Sequence, residues 1–143
     1  MIRTLTPLLL VAGIAVAQSP SPQGGPVFRA LLGEARARIQ EVTAAQLMES
    51  LARSDKPLVI DVREDLEWQS GHIPAAVHIG RGVLERDIES AVPQKDARIV
   101  VYCRGGGRSA LAADTLQKMG YTRVVSLAGG LQAYQAAGGI MQR

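Results

Sequence analysis

Apolar residues come in short blocks along this chain. Leu58-Val59-Ile60-Asp61-Val62, Ile99-Val100-Val101-Tyr102 and Val124-Val125-Ser126-Leu127 are nearly continuous apolar runs rich in β-branched residues. Such runs predict strands covered on both faces, as in a parallel sheet. Weaker runs at 39–42 and 76–79 predict two more strands. Between them the apolar positions fall at helical spacing. Residues 44–53 read as a helix with Leu47, Met48 and Leu51 inward, and Thr43 with Gln46 forms a capping box at its start. Residues 64–68 and 81–91 read as further helices, the second with Glu85, Arg86 and Glu89 on a solvated face. Another runs from Ala110 to about Met119, where Gly120 stops it, and a last one opens at Gly129-Gly130 and carries Leu131 and Tyr134. This alternation predicts an α/β fold, a mostly parallel sheet with helices on both faces.

The N-terminal part follows a different pattern. Residues 1–17 combine Arg3, an apolar stretch from Leu5 to Val16 and an Ala15-Val16-Ala17 site. They read as a signal peptide cleaved after Ala17, which predicts a periplasmic or secreted protein with no stable membrane span once cleaved. Retention of the segment as an anchor is the other reading. Residues 18–26 are rich in Ser, Pro and Gly and read as a flexible linker. Residues 27–38 form a helical extension, with Val27, Phe28, Leu31, Leu32 and Ala35 on one side, expected to lie loosely on the domain or over its edge. The domain proper is residues 39–143.

Composition narrows the partners. The chain is 47% hydrophobic but only 3% aromatic, so its core consists mainly of Val, Ile, Leu and Ala. A net charge of +3 with no long Lys/Arg run argues against nucleic acid. Nothing in the pattern implies a cofactor, and the His, Cys and carboxylate spacing matches no metal site. The oligomeric state is not encoded in any pattern of the chain.

The most informative stretch joins the central strand to the next helix: Cys103-Arg104-Gly105-Gly106-Gly107-Arg108-Ser109. A glycine-rich loop ahead of a helix can aim its N–H groups inward as an anion nest. The sole cysteine of the chain sits at the entrance of that nest, where the field favours the nucleophilic thiolate. Arg104 and Arg108 add fixed positive charge suited to an oxyanion, and no acidic residue lies between Asp96 and Asp114 to cancel it. A lone cysteine at a strand end is elsewhere often only a small buried apolar group. The neighbouring arginines and glycines favour the reactive reading. With no second cysteine, an internal disulfide is excluded, and the odd thiol points to a reactive group or intermolecular pairing and weighs against a dithiol oxidoreductase.

This loop resembles the active-site loop of rhodanese-family sulfurtransferases. Other segments resemble the family in the same order: Asp61-Val62-Arg63-Glu64, then Glu67-Trp68, Gly71-His72-Ile73-Pro74-Ala75-Ala76, and Leu127-Ala128-Gly129-Gly130 with Tyr134. Ala75 stands where Gly is usual and Tyr134 where Trp is usual. The resemblance implies a five-stranded rhodanese-like sheet and a reaction through a Cys103 persulfide. Sulfane sulfur would pass from a small anionic donor such as thiosulfate to a thiophilic acceptor such as cyanide or a thiol. Arg104, Gly105, Gly106, Gly107, Arg108 and Ser109 are the expected substrate-binding residues.

The other polar candidates have plainer readings. Asp61 and Arg63, at a strand end, read as a structural pair supporting the site. Trp68 reads as core. His72 belongs to a turn signature and reads as a hydrogen-bonding residue, not a base, and His78 is read the same way. Two rival functions remain. One is a non-catalytic persulfide carrier or oxyanion-binding module. The other is a cysteine phosphatase or arsenate reductase, which the short Cys-x4-Arg spacing disfavours because a phosphoryl group needs a wider loop.

Overall fold

The structure, a computed structural model, describes residues 24–143. The leader read at 1–17 and most of the linker lie outside the described residues. Among the described residues, five strands form one sheet: β1 (Gln40–Val42), β2 (Leu58–Asp61), β3 (Val77–His78), β4 (Ile99–Tyr102) and β5 (Val124–Leu127). Their order is β1-β5-β4-β2-β3, and every neighbouring pair is parallel. The sheet is therefore wholly parallel, where the sequence predicts a mostly parallel one.

Among the described residues, six helices accompany the sheet: α1 (Pro26–Arg38), α2 (Ala44–Leu51), α3 (Asp65–Gln69), α4 (Leu84–Ala91), α5 (Gly107–Lys118) and α6 (Gly130–Ala136). Side chains of β4 alternate between two cores, which is why its sequence is apolar throughout. Ile99 and Val101 join Leu84, Ile88, Ala113 and Leu116 under α4 and α5. Val100 and Tyr102 join Leu47, Leu131 and Tyr134 under α2 and α6. The capping box of α2 is present, with Gln46 N–H donating to Thr43 Oγ1 at 3.2 Å and Thr43 N–H to Gln46 Oε1 at 2.9 Å.

Two expectations for the N-terminal part need correction. The helix begins at Pro26, not Val27, because proline is pre-set for the first helical turn and needs no N–H there. Nor does this helix lie loosely or over an edge. It packs on α5, buries Ala35 completely, and is tied down by Arg38, whose Nε and Nη2 donate to Asp114 at 2.7 and 2.9 Å. The side that packs is Leu32 and Ala35, while Val27 and Leu31 face solvent and Phe28 is partly exposed. The helix predicted at 81–91 starts at Leu84, after a turn in which Val83 N–H donates to the Gly80 carbonyl.

Candidate active site

Cys103 follows β4 at the carboxyl end of the sheet, where open α/β sheets gather their ligands. The thiol is 2% exposed and forms the floor of a cleft of about 790 Å³. Gly106 N–H donates to Sγ at 3.1 Å, and the Ser109 hydroxyl lies 3.5 Å from Sγ. The amide can reach the sulfur because Gly106 adopts φ +96°, a left-handed turn that glycine accepts freely. A Cβ on Gly106 would also sit 3.2 Å from Gly129 N. Behind the sulfur, buried Ser126 on β5 donates to Ser109 Oγ at 2.9 Å, and the Ser109 hydroxyl can also reach the Gly106 carbonyl at 3.3 Å.

The loop is clamped from the far side by α6. Leu131 N–H donates to the Cys103 carbonyl at 2.8 Å, and Gln132 N–H to the Arg104 carbonyl at 3.1 Å. The start of a helix has free N–H groups to offer, and here they hold the loop backbone. Gly130, at φ +57°, lies against the Cys103 carbonyl so tightly that a Cβ would overlap it. That overlap is the structural reason for the second glycine of Gly129-Gly130.

The expected substrate-binding residues divide into two groups. Arg104, Gly105, Gly107 and Arg108 line the cleft, whereas Gly106 and Ser109 are buried behind it and support the sulfur. Arg108 is not a free cation. Its Nη1 and Nη2 donate to Glu67 at 2.7 and 2.8 Å. Arg108 holds the Glu67 carboxyl at about 2, below the usual 4.5, and Glu67 in turn raises Arg108.

Asp61 and Arg63 do not line the Cys103 cleft. Arg63 is almost fully buried, donates to both Asp61 carboxylate oxygens, and sends Nη2 to the Gly71 carbonyl at 2.8 Å. The pair thereby fixes the turn at 71–76, whose Ile73 N–H also donates to the buried Tyr102 hydroxyl. His72 and His78 are structural in their contacts. His72 Nδ1 lies 3.2 Å from the Trp68 carbonyl, and His78 Nε2 lies 2.9 Å from the Arg63 carbonyl. Trp68 is only half-buried, so it is not the core residue expected. Its ring stacks on His72 at 3.5 Å and faces His78 at 5.1 Å. Among the described residues, no group of three or more His, Cys, Asp or Glu side chains is placed to hold a metal ion.

Sequence reasoning missed one whole wall of the cleft. Phe28, Arg29, Leu32, Gly33 and Arg36 of α1 line it opposite Gln132 of α6. The α6 side had a signal, a Gly-Gly turn after a strand. The α1 side had none, because nothing in residues 27–38 says which part of the domain they cover.

Residues 43–137 match the model of the rhodanese-like domain. The chain belongs to the rhodanese-like domain family. It is 36% identical over 97 residues to the putative sulfurtransferase YtwF of Bacillus subtilis (strain 168), covering 68% of this chain and 91% of that protein. It is 40% identical over 73 residues to the thiosulfate sulfurtransferase PspE of Escherichia coli (strain K12), covering 51% of this chain and 69% of that one. Among solved structures, a Rhodopseudomonas palustris CGA009 protein described as of unknown function and a possible tyrosine phosphatase aligns with TM-score 0.71 at 36% identity. That match covers all of the other chain and 88% of this one, more than residues 39–143 can supply, so it extends into α1. A thiosulfate sulfurtransferase from Pseudomonas aeruginosa aligns with TM-score 0.67 at 33% identity, over 73% of this rhodanese-like chain and 20% of that chain.

Proposed function

We propose that this rhodanese-like protein is a thiosulfate sulfurtransferase working through a Cys103 persulfide. The observation that carries this reading is the setting of Sγ: recessed at a cleft floor, with the Gly106 amide and Ser109 hydroxyl directed at it. A thiolate in that position attacks the outer sulfur of thiosulfate. The S–S bond of the donor breaks, sulfite leaves with the electron pair, and the outer sulfur stays on Cys103 as a persulfide. Arg104 at the cleft mouth is positioned to stabilise the departing sulfite. Cyanide or a thiolate then takes the outer sulfur and restores the Cys103 thiolate. Relatives named as sulfurtransferases support the reading.

The Glu67–Arg108 pair weighs against phosphoryl transfer. Glu67 takes one N–H from each Arg108 Nη and balances its charge, which a phosphate dianion in the loop would otherwise draw on. The leader pattern at 1–17 supports export to the periplasm or the medium, which fractionation of cells making the full chain tests directly.

The deciding experiment is intact-mass measurement after incubation with thiosulfate, with Cys103→Ala alongside. The expected result is gain of one sulfur atom in the wild type alone, discharged by cyanide as thiocyanate. Gain without discharge would mark a persulfide carrier. No gain, with Cys103-dependent turnover of an aryl phosphate, would overturn the proposal in favour of a phosphatase.

A further inference from the structure

The cleft above Cys103 is far larger than its reaction needs. Thiosulfate and cyanide are a few atoms each, whereas about 790 Å³ is the scale of a site for a larger organic ligand. The extra space is bounded by α1, and α1 touches the catalytic loop itself. A Cβ on Gly107 would lie 3.7 Å from Leu32 Cδ2 and 3.8 Å from Phe28 Cζ, and one on Gly106 would lie 3.7 Å from Arg36 Nη2. The Arg38–Asp114 pair holds the helix in that place. The wall therefore has an apolar middle, Phe28 and Leu32, flanked by the guanidinium groups of Arg29 and Arg36.

Charge defines the occupant further. Among the described residues, Arg29 makes its hydrogen bond to a carbonyl, that of Gly24, and Arg36 meets Glu41 only at 3.6 Å. Arg29 faces no carboxylate there, and the Arg36–Glu41 pair is a half-exposed ion pair with no hydrogen bond, which a ligand carboxylate can displace. Arg104 of the loop lines the same cleft. Arg29 and Arg36 are seven residues apart, a helix rise of about 10 Å. Two carboxylates separated by roughly that distance would meet both.

We propose that α1 forms an acceptor subsite for an organic thiol of peptide size carrying two carboxylates. The proposal rests on the sulfurtransferase reading above and names the acceptor class that the reading left open. The carbon body of the thiol lies against Phe28 and Leu32, its carboxylates meet Arg29 and Arg36, and its sulfur points down to Cys103. The thiolate attacks the outer sulfur of the Cys103 persulfide. A new S–S bond forms on the acceptor, the Sγ–S bond breaks, and Sγ leaves as the thiolate. No outside oxidant or reductant takes part.

Glutathione and its diethyl ester make a matched probe, since they share the thiol and differ in the two carboxylates. Persulfide discharge is measured against the concentration of each, in the wild type and in an Arg29→Gln/Arg36→Gln variant whose melting temperature shows it folded. In the wild type, glutathione should reach half-maximal discharge at a concentration about tenfold lower than the ester, with similar limiting rates. The double substitution should erase that preference. Equal discharge by the two thiols in the wild type, or a preference that survives the double substitution, would overturn the subsite.

Binding of S-methylglutathione to Cys103→Ala, followed by calorimetry, separates the two claims. Binding that weakens about tenfold with Arg29→Gln/Arg36→Gln supports the subsite even if the wild type never gains sulfur from thiosulfate, an outcome that would sink only the catalytic reading. No binding, together with normal gain of sulfur, sinks only the subsite.

Discussion

Glu67 and Arg108 form a two-pronged ion pair at 2.7 and 2.8 Å across the edge of the Cys103 cleft. Glu67 sits on α3, a five-residue helix that follows β2, and Arg108 sits in the first turn of α5. The pair ties the glycine loop to a separate part of the fold. It also neutralises the arginine that closes the loop, so the net positive field at the cleft comes from Arg29, Arg36 and Arg104.

Glu67→Gln should therefore act on the loop more than on overall charge. It leaves a partly buried guanidinium without its carboxylate, at a stability cost of about 1–2 kcal/mol. The loosened loop should lower kcat for thiosulfate:cyanide transfer by about tenfold. Thermal melting and steady-state kinetics on the same sample check both. A kcat equal to that of the wild type would show that the pair does not set the loop geometry.

The same pair predicts an acid response. Glu67 titrates at about 2 in the folded chain against 4.5 ordinarily, because Arg108 favours its charged form. A depressed carboxylate contributes stability that is fully present above its unfolded value and is lost as pH falls through the folded one. Asp114, held below its ordinary value by Arg38 and Lys118, adds in the same direction. Stability should be flat down to about pH 5 and fall between about pH 4.5 and 2. Denaturant melts across that range should show a shallower fall in Glu67→Gln. An unchanged slope would mean that Glu67 is not depressed in the folded state.

Gly130 gives a steric prediction with an internal control. In Gly130→Ala the new Cβ meets the Cys103 carbonyl and lies 2.7 Å from the Arg104 carbonyl oxygen. The α6 start must retreat and release the two N–H donors that hold the loop. The expected cost is about 2–4 kcal/mol, from overpacking and a left-handed alanine together. Activity should fall with it. Gly82→Ala, where a Cβ meets nothing within 4 Å, should change stability by less than about 0.5 kcal/mol. Equal melting temperatures for the two variants would refute the clamp.

What the sequence made legible, and what it did not, follows from the range of each interaction. The β2, β4 and β5 runs were readable because burial on both faces makes them continuously apolar. The α2 start was readable because Thr43 and Gln46 satisfy each other within one turn. The Cys103 loop was readable because its chemistry is contiguous. Glu67 was not assigned to Arg108 because 41 positions separate them and only the fold brings them together. The α1 wall was invisible for the same reason, since Arg38 finds Asp114 at a separation of 76. Ser126 was read as one strand residue among four, yet it is the polar residue that β5 turns toward the sulfur's support.

Ala75 marks a place where the chain can be improved. It is exposed and holds φ +62°, the one positive φ at a non-glycine residue among those described. An alanine there costs about 1 kcal/mol or more relative to its relaxed backbone, which glycine avoids at some cost in unfolded-chain entropy. Ala75→Gly should give a net gain of about 0.5–1 kcal/mol and raise the melting temperature by roughly 2–5 °C. The substitution lies in the turn at 71–76, away from the Cys103 cleft, so sulfur transfer should keep its rate. A lowered melting temperature would show that this turn is not strained.

The Ser126–Ser109–Cys103 arrangement makes a prediction about coupling. The Ser109 hydroxyl has one proton and two acceptors within reach, Sγ at 3.5 Å and the Gly106 carbonyl at 3.3 Å. Ser126 donates to Ser109 Oγ at 2.9 Å, which leaves the Ser109 proton for one of those two. Sγ attacks as a thiolate, and its negative charge draws the proton to the sulfur, because a charged acceptor makes the stronger hydrogen bond. Ser126 touches no substrate and can act only through Ser109. Ser126→Ala should slow persulfide formation about threefold to tenfold, the value of one hydrogen bond, and Ser109→Ala should slow it at least as much. The double variant should be no slower than Ser109→Ala alone, because the upstream donor has nothing left to orient. Rapid-mixing measurement of sulfur loading from thiosulfate in the four proteins checks this. Fully additive losses would show that Ser126 reaches Cys103 by some route other than Ser109.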